Sequence, residues 1–136
     1  MTRIVIDASV AALWFLGERR STAALDFVER ATEPFVAPDL LPIEVSNALW
    51  NARRTASKPI ALGPVLDKLA GLVAFEPSTK LLVAASIIAR TLDHPIYDCL
   101  YLALTEQEGG VMMTADRKLV RKLQQTGFAQ NIELLK

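Results

Sequence analysis

The sequence predicts an α/β fold in which a central parallel sheet of about five strands is flanked by helices. Short apolar runs alternate along the chain with stretches whose apolar residues recur every three or four positions. The apolar runs are continuous, as in strands that are buried on both faces of a parallel sheet. The chain has 136 residues, of which 51% are hydrophobic. We therefore expect one domain with a substantial core, spanning residues 1–136.

The strands and helices can be placed by these patterns. Five runs predict strands: Arg3–Asp7, Phe35–Pro38, Leu72–Phe75, Val111–Thr114 and Ile132–Leu135. Helical spacing predicts helices over Ser9–Glu18, Ser21–Ala31, Leu40–Arg54, Pro64–Leu69, Ser78–Leu92, Ile96–Glu108 and Asp116–Thr126. Asp39 and Ser78 are predicted to cap the third and fifth of these helices. The Ser78–Leu92 helix is apolar on nearly every side, so we expect it to be buried.

Composition limits the class of protein. No apolar run reaches the roughly 18 residues that a membrane-spanning helix needs. The first strand begins at Arg3, which leaves no room for a signal peptide, so a cytoplasmic protein is expected. The lone Cys99 lies among apolar residues and is interpreted as core packing. Acidic and basic residues balance at fifteen each, so any binding of nucleic acid would depend on local basic patches.

Four carboxylates fall near the predicted carboxyl ends of strands. Asp7 ends the first strand, Glu44 lies in the helix after the second, and Asp98 and Asp116 flank the fourth. Ligands of open parallel sheets bind beyond the carboxyl ends of the strands. The four acids are therefore expected to approach one edge of the molecule.

Each acid also has a purely structural explanation. Asp7 and Asp116 could each cap the helix that follows, and Asp98 could complement the positive end of its helix. Glu44 lies too far into its helix to cap it and has apolar neighbours. A buried carboxylate without a partner is costly, so Glu44 is expected either to reach solvent or to join a charged site. Both explanations stay open for the three aspartates.

A cluster of carboxylates raises the pKa of its members unless a cation shares the pocket. No histidine or cysteine is expected near these acids, and an oxygen-only ligand set favours Mg²⁺ or Mn²⁺ over zinc. Such ions activate water for phosphodiester hydrolysis. Ser9 and Thr114 lie two residues from an acid and could position water or phosphate, although turn chemistry explains them equally well. Asn47 follows Glu44 by three residues and could orient its carboxylate.

Four stretches, taken together, resemble the PIN-domain ribonucleases and, among them, the VapC-like toxins of bacterial toxin–antitoxin pairs. They are "IVIDASV", "PIEVSNAL", "PIYDCLYLAL" and "MTADRKL", and they follow in the family's order over nearly the whole chain. The resemblance implies a PIN-like three-layer fold. It also implies that four acids bind the metal and that two polar residues neighbour them: Asp7, Glu44, Asp98 and Asp116, with Ser9 and Thr114.

The resemblance further implies an activity and partners. Relatives are Mg²⁺- or Mn²⁺-dependent endoribonucleases, commonly acting on structured RNA such as transfer RNA, and are usually homodimers. A cognate antitoxin wraps each toxin, often inserting a basic side chain among the acids. Some relatives have a further Asp two residues after the fourth acid, where this chain has Lys118. That departure leaves open whether one or two metal ions bind.

Two basic clusters are candidates for RNA binding. Arg117, Lys118, Arg121 and Lys122 follow Asp116, and Arg53 and Arg54 lie on the helix that carries Glu44. Either cluster could hold an RNA backbone or form an ordinary solvated face. His94, followed by proline, is interpreted as a loop residue. Four large apolar residues pack in the core or form a groove for an antitoxin or a second copy: Trp14, Phe15, Leu16 and Trp50.

Two other functions are compatible with parts of the pattern. A phosphotransferase of the haloacid dehalogenase kind would use Asp7 as nucleophile, but it needs a second Asp where this chain has Ser9. A catalytically silent module that binds RNA or protein would not need all four acids. Metal titration separates the silent module from the nuclease, because only the nuclease needs Mn²⁺ at the acids.

Overall fold

A computed structural model describes residues 3–53 and 60–136, and for Arg53 the backbone alone. Its centre is a five-stranded sheet made of β1 Ile4–Ile6, β2 Phe35–Pro38, β3 Val73–Glu76, β4 Val111–Thr114 and β5 Ile132–Leu134. All strands are parallel, and their order in the sheet is β3-β2-β1-β4-β5. The predicted parallel α/β fold is confirmed.

Helices cover both faces of this sheet. All four residues of β2 are buried, and successive strand residues point to opposite faces. The helices are α1 Ala8–Ala11, α2 Leu13–Leu16, α3 Ser21–Arg30, α4 Leu41–Arg53, α5 Leu62–Leu72, α6 Ser78–Leu92, α7 Ile96–Glu108 and α8 Arg117–Leu123, with a 3₁₀ turn at Ala129–Asn131. None of the helices in the described part of the chain is long and apolar enough to cross a membrane.

The sheet topology places a crevice between β1 and β4. The chain proceeds from β1 to β2 and β3 on one side, then crosses to β4 and β5 on the other. Ile6 of β1 is paired with Met113 of β4, and the Asp7 amide donates to the Met113 carbonyl (3.0 Å). Such a reversal of strand order is where open α/β sheets bind ligands. Asp7 and Thr114 therefore lie side by side at the switch point.

Aromatic residues of the core pack α2 and α3 against β2. Trp14 stacks on Phe35 with ring centroids 5.8 Å apart, and Phe27 stacks on the same ring at 5.4 Å. The Trp14 indole also donates to the Ala24 carbonyl (3.2 Å). Trp14 is thus a core residue.

Several predicted helix boundaries were wrong. The first helix is interrupted at Ala12 and ends at Gly17, whose φ of 63° is left-handed. The α5 helix begins earlier and ends later than predicted, so Leu72 belongs to that helix and not to β3. The α8 helix ends at Leu123, before Thr126.

The predicted cap at Ser78 was also wrong. Ser78 is the first residue of α6, and its amide donates to the carboxylate of Asp39 (3.0 Å). The hydrogen bonds from Ser78 lower the pKa of Asp39 below its usual value. The acid expected to cap α4 therefore serves the amino end of α6, which β2 and β3 place beside it.

The α6 helix is not buried as expected. Only Leu81, Ala85 and Ile88 are buried, while Val83 and Ile87 are 76% and 59% exposed. The helix packs on α7 through a narrow stripe. An apolar face is left on the surface.

The connection from α7 to β4 is tightly fitted. Gly109 ends α7 in a left-handed conformation with a φ of 60°. The next residue, Gly110, is buried, and a Cβ built on it would lie 2.2 Å from the Arg3 carbonyl oxygen. That same oxygen accepts a hydrogen bond from the Val111 amide (3.0 Å). Only glycine fits at position 110 without moving β1 or β4.

Candidate active site

Asp7 stands at the amino end of α1, but its carboxylate does not cap the helix. Its Oδ2 accepts hydrogen bonds from the hydroxyls of Ser9 (2.6 Å) and Thr114 (2.7 Å). The amide of Ala115 donates to the Ser9 hydroxyl oxygen (2.9 Å), and that of Asp116 donates to Thr114 (3.1 Å). Each hydroxyl gives its one proton to Asp7 and accepts an amide proton in return. The two turns after β1 and β4 thus hold one carboxylate in place.

The charge of Asp7 is unfavourable where it lies. Only 6% of the residue is exposed. Burial raises its pKa, the hydroxyls of Ser9 and Thr114 oppose that rise, and the nearby negative charge of Asp98 adds to it. Ionisation of Asp7 therefore lowers the stability of the folded protein, and a cation bound in the crevice would offset this loss.

Glu44 lies in the first turn of α4 and is half-buried. Its Oε1 accepts a hydrogen bond from the Tyr101 hydroxyl at 2.6 Å. Burial is the main cause of its raised pKa, with further contributions from the charges of Asp7 and Asp98. Glu44 thus has a hydrogen-bond partner and lies within the electrostatic influence of two other acids.

Asp98 lies in the first turn of α7, where its carboxylate meets the side chain of His94. The His94 Nε2 is 2.6 Å from Asp98 Oδ2, and the histidine side chain is only 15% exposed. The expectation that no histidine lies near the acids was therefore wrong, since His94 precedes Asp98 by one helical turn. Cys99 is fully buried, and burial together with the charge of Asp98 raises the pKa of its thiol, as suits a packing residue.

Asp116 behaves differently from Asp7, although both follow a strand and precede a helix. Its Oδ1 accepts hydrogen bonds from the amides of Lys118 (3.0 Å) and Leu119 (3.1 Å), which is an amino-terminal cap of α8. The side chain is exposed at the surface. Its amide nevertheless joins the Thr114 hydroxyl, so the fourth acid is tied to the Asp7 network through its backbone.

The carboxylates influence one another without enclosing a metal site. Among residues 3–53 and 60–136, no three His, Cys, Asp or Glu side chains lie close enough together to hold an ion in their present rotamers. Charge acts over several ångströms, whereas Mg²⁺ ligation requires oxygens at about 2.1 Å. The donor set consists of oxygen atoms, and the raised pKa values of Asp7 and Glu44 make a divalent cation chemically suitable there.

A cleft of about 490 Å³ opens beside Glu44 and the turns that follow β1 and β4. Its polar lining consists of Ser9, Glu18, Arg20, Glu44, Asn47 and Asn51. Asn47 thus shares the cleft with Glu44, as its spacing in α4 predicted. Sequence reasoning missed Arg20, whose guanidinium donates to the carbonyls of Ala115 (3.0 Å) and Leu135 (3.2 Å). No local pattern marks Arg20, because its partners lie more than ninety residues away.

The basic residues of α8 are divided by their contacts. Arg117, Lys118 and Arg121 are exposed. Lys122 instead directs its ammonium toward the turn before α7, where it contacts His94 Nδ1 (2.8 Å) and the Asp93 carbonyl (3.0 Å). Arg54 lies outside the described residues, as does the side chain of Arg53.

The Tyr101–Glu44 contact makes a measurable prediction. Tyr101→Phe is expected to lower the free energy of unfolding by about 1 to 2 kcal/mol, because a half-buried carboxylate loses a charge-assisted hydrogen bond. In a Glu44→Gln background the same change should cost less, since the bond is then to a neutral amide. Urea denaturation of the four proteins at neutral pH gives this comparison. Equal losses in both backgrounds would contradict the interaction.

Comparisons with known proteins agree with this geometry. The PIN domain model matches residues 4–123, so the chain belongs to the PIN domain family. Within that family the chain is VapC-like. It is 34% identical over 124 residues to ribonuclease VapC3 of Pyrobaculum aerophilum, covering 88% of this chain and 94% of that protein. This relationship identifies the chain as a nuclease.

A solved structure supports the fold independently. The crystal structure of PAE2754 from Pyrobaculum aerophilum matches with a TM-score of 0.61 at 24% identity, covering 89% of this chain and 84% of that one. The two proteins share the fold at this level of identity. The PIN-like resemblance read from the four sequence stretches is confirmed.

Proposed function

We propose that this chain is a Mg²⁺- or Mn²⁺-dependent endoribonuclease that serves as the toxin of a toxin–antitoxin pair. The observation that carries the proposal is that Asp7 and Glu44 lie within the electrostatic influence of neighbouring acids. The charge of Asp98 raises the pKa of Asp7, and the charges of both raise the pKa of Glu44. A site that keeps unfavourable negative charge together is suited to a cation and to a phosphate substrate.

Neighbouring residues hold three of the proposed ligands in place. Hydroxyls of Ser9 and Thr114 hold Asp7, the Tyr101 phenol holds Glu44, and Asp116 stays close to Thr114 through its amide. A bound Mg²⁺ or Mn²⁺ would supply an activated water and stabilise charge on the phosphate. Arg117, Lys118 and Arg121 follow Asp116 on the surface and are proposed to bind the RNA backbone beside the acids.

The direct test is RNA cleavage by the purified chain, freed of any partner. Total cellular RNA is incubated with the protein and Mg²⁺ or Mn²⁺, with chelator as a control. Discrete cleavage is expected from the wild-type chain and from Asp67→Asn, which removes an exposed acid on α5. Asp98→Asn should abolish it. Mapping the ends of the fragments would identify the RNA, with transfer RNA as the expected target class.

Either of two outcomes would overturn this function. Cleavage that persists in chelator would exclude the metal requirement. A folded protein that binds Mn²⁺ weakly or not at all and cleaves no RNA would instead be the silent binding module. Ser9 donates a hydrogen bond to Asp7 at the position where a dehalogenase-type enzyme needs a second acid, which argues against that class.

An antitoxin is proposed to bind along α4. Ile43 and Trp50, two helical turns apart, are exposed large apolar residues on the helix that carries Glu44. A partner segment whose apolar side chains pack on Ile43 and Trp50 could extend a basic side chain toward the acids. An amphipathic helix that binds through its apolar face would contact α4 in this way.

A homodimer through α6 is the second proposed assembly. Val83 and Ile87 lie one turn apart with most of their surface exposed, and Leu82 adjoins them at 40%. Val83→Glu is expected to convert a dimer to a monomer, because an unpaired charge would be buried. Lys80→Glu, at an exposed position of the same helix, should leave the dimer intact. Sedimentation equilibrium distinguishes the two, and a wild-type monomer at all concentrations would contradict the proposal.

A further inference from the structure

His94 occupies a defined place in the turn between α6 and α7. Asp93 ends α6 in a left-handed conformation with a φ of 51°, and the His94 amide donates to the Ala89 carbonyl (3.0 Å). The imidazole that follows is mostly buried and contacts a side chain through each of its two nitrogens. His94 is therefore a loop residue, as the sequence predicted, but its ring is fixed in orientation by these contacts.

The two contacts together determine where the histidine proton lies. Lys122 Nζ is 2.8 Å from His94 Nδ1. An ammonium group has three donors and no acceptor, so Nδ1 must accept with its lone pair. A neutral imidazole then carries its proton on Nε2, which faces Asp98 Oδ2 at 2.6 Å. The lysine therefore selects the tautomer that donates to the carboxylate.

Lys122 is itself anchored by the backbone. The same Nζ donates to the Asp93 carbonyl at 3.0 Å, in the turn that precedes α7. Its contacts join the last turn of α8 to the turn that precedes α7. The two helices carry Asp116 and Asp98 near their amino ends, so this link bridges both sides of the proposed site.

We propose that Lys122 and His94 form a relay that positions the Asp98 carboxylate, and that both are positioning residues of the nuclease. The relay rests on the proposed function for its purpose but not for its geometry. Asp98 has 33% of its side chain exposed and would otherwise sample several rotamers. The structure assigns Lys122 to this relay and not to the RNA backbone that its sequence neighbours are proposed to bind.

The tautomer can be observed directly, because His94 is the single histidine of the chain. Protein with ¹⁵N-labelled histidine gives one imidazole spin system by NMR. At about pH 8 the wild-type ring is expected as the Nε2–H tautomer. Lys122→Met should produce a mixture of tautomers, while Lys122→Arg should retain the wild-type form because guanidinium also only donates. Lys118→Met, at an exposed position of the same helix, is the matched control.

A second measurement tests the positioning role without RNA. Calorimetric titration with Mn²⁺ is expected to show about tenfold weaker binding for His94→Ala, the loss typical of outer-shell partners. His94→Gln should recover part of that loss, because its amide can donate to Asp98. Lys122→Met should weaken binding less than His94→Ala.

The outcomes separate the relay from the function on which it rests. A wild-type Nδ1–H tautomer, or a tautomer that Lys122→Met leaves unchanged, overturns the relay. Equal Mn²⁺ affinity in wild type and His94→Ala overturns the positioning role. A wild-type protein that binds no Mn²⁺ overturns the metal-dependent function and the relay's role in it, while the NMR result still decides whether Lys122 fixes the tautomer.

Discussion

Asp7→Asn is expected to stabilise the metal-free protein while reducing RNA cleavage by about 100-fold or more. The carboxylate is buried, and burial raises its pKa despite two hydroxyl donors. A neutral amide removes the cost of the buried charge and can still accept a hydrogen bond. The expected gain is about 1 to 2 kcal/mol, or roughly 3 to 10 °C in Tm.

The sign of this effect determines its pH dependence. Because the folded-state pKa of Asp7 is raised, its ionisation opposes folding. The penalty is absent below the unfolded-state pKa of about 3.9 and grows as the pH rises toward the folded-state value. The advantage of Asp7→Asn should therefore be larger at neutral pH than near pH 4, where it should be small. Thermal unfolding in chelator at both pH values measures it.

Asp39 provides a control of opposite sign. The Ser78 hydrogen bonds lower its folded-state pKa, so its ionisation stabilises the protein above the unfolded-state pKa. That contribution is lost as the pH falls through the lowered value. Asp39→Asn should thus reduce stability at neutral pH. If Asp7→Asn were instead less stable than wild type, the hydrogen bonds to the Asp7 carboxylate would outweigh the cost of burying its charge.

Gly110→Ala is expected to destabilise the fold by about 3 kcal/mol. The added Cβ would lie 2.2 Å from the Arg3 carbonyl oxygen, which is backbone and cannot rotate away. Relief requires β1 and β4 to separate, and these are the strands whose ends carry Asp7 and Thr114. The variant should therefore lose cleavage activity together with stability.

Gly71→Ala is the matched control for this substitution. Gly71 lies in α5, and a Cβ there would meet nothing within 4 Å. Alanine is the better helix former, so this variant should be unchanged or more stable by up to about 1 kcal/mol. Urea denaturation compares the two. Equal stability of Gly110→Ala and wild type would show that β1 and β4 adjust at little cost.

The fold was largely predictable because each strand is an uninterrupted apolar run. Both ends of Phe35–Pro38 and of Val111–Thr114 were predicted correctly. A buried parallel strand is a continuous apolar run, so the strand begins and ends where the run does. Helix α6 was misjudged for the converse reason. Its residues are apolar on most sides, but the sequence alone does not reveal how many neighbours a helix has.

The sequence predicts that the four candidate acids lie near the ends of strands, but it does not predict their contacts. Asp7 and Asp116 hold equivalent positions in sequence, yet Asp7 binds hydroxyls and Asp116 caps its helix. The difference depends on Thr114, which lies 107 residues from Asp7 and is paired beside it by the sheet. Local chemistry cannot anticipate such a partner.

His94 shows what a closer sequence reading could have found. It precedes Asp98 by four residues, the spacing at which side chains meet on a helix. The intervening Pro95 suggested a loop and concealed the pairing. Its other partner, Lys122, is 28 residues distant and follows only from the packing of α8 against the turn before α7.

The contrasting environments of the two tryptophans supply separate optical reporters. Trp14 is buried, stacks on Phe35 and donates a hydrogen bond to a backbone carbonyl, whereas Trp50 is 55% exposed on the helix that carries Glu44. Indole emission moves to longer wavelength in water, so the two residues fluoresce at different wavelengths. A ligand that covers α4 would change the Trp50 emission and leave that of Trp14 unaltered. Unfolding would shift Trp14, so one spectrum distinguishes occupancy from loss of structure.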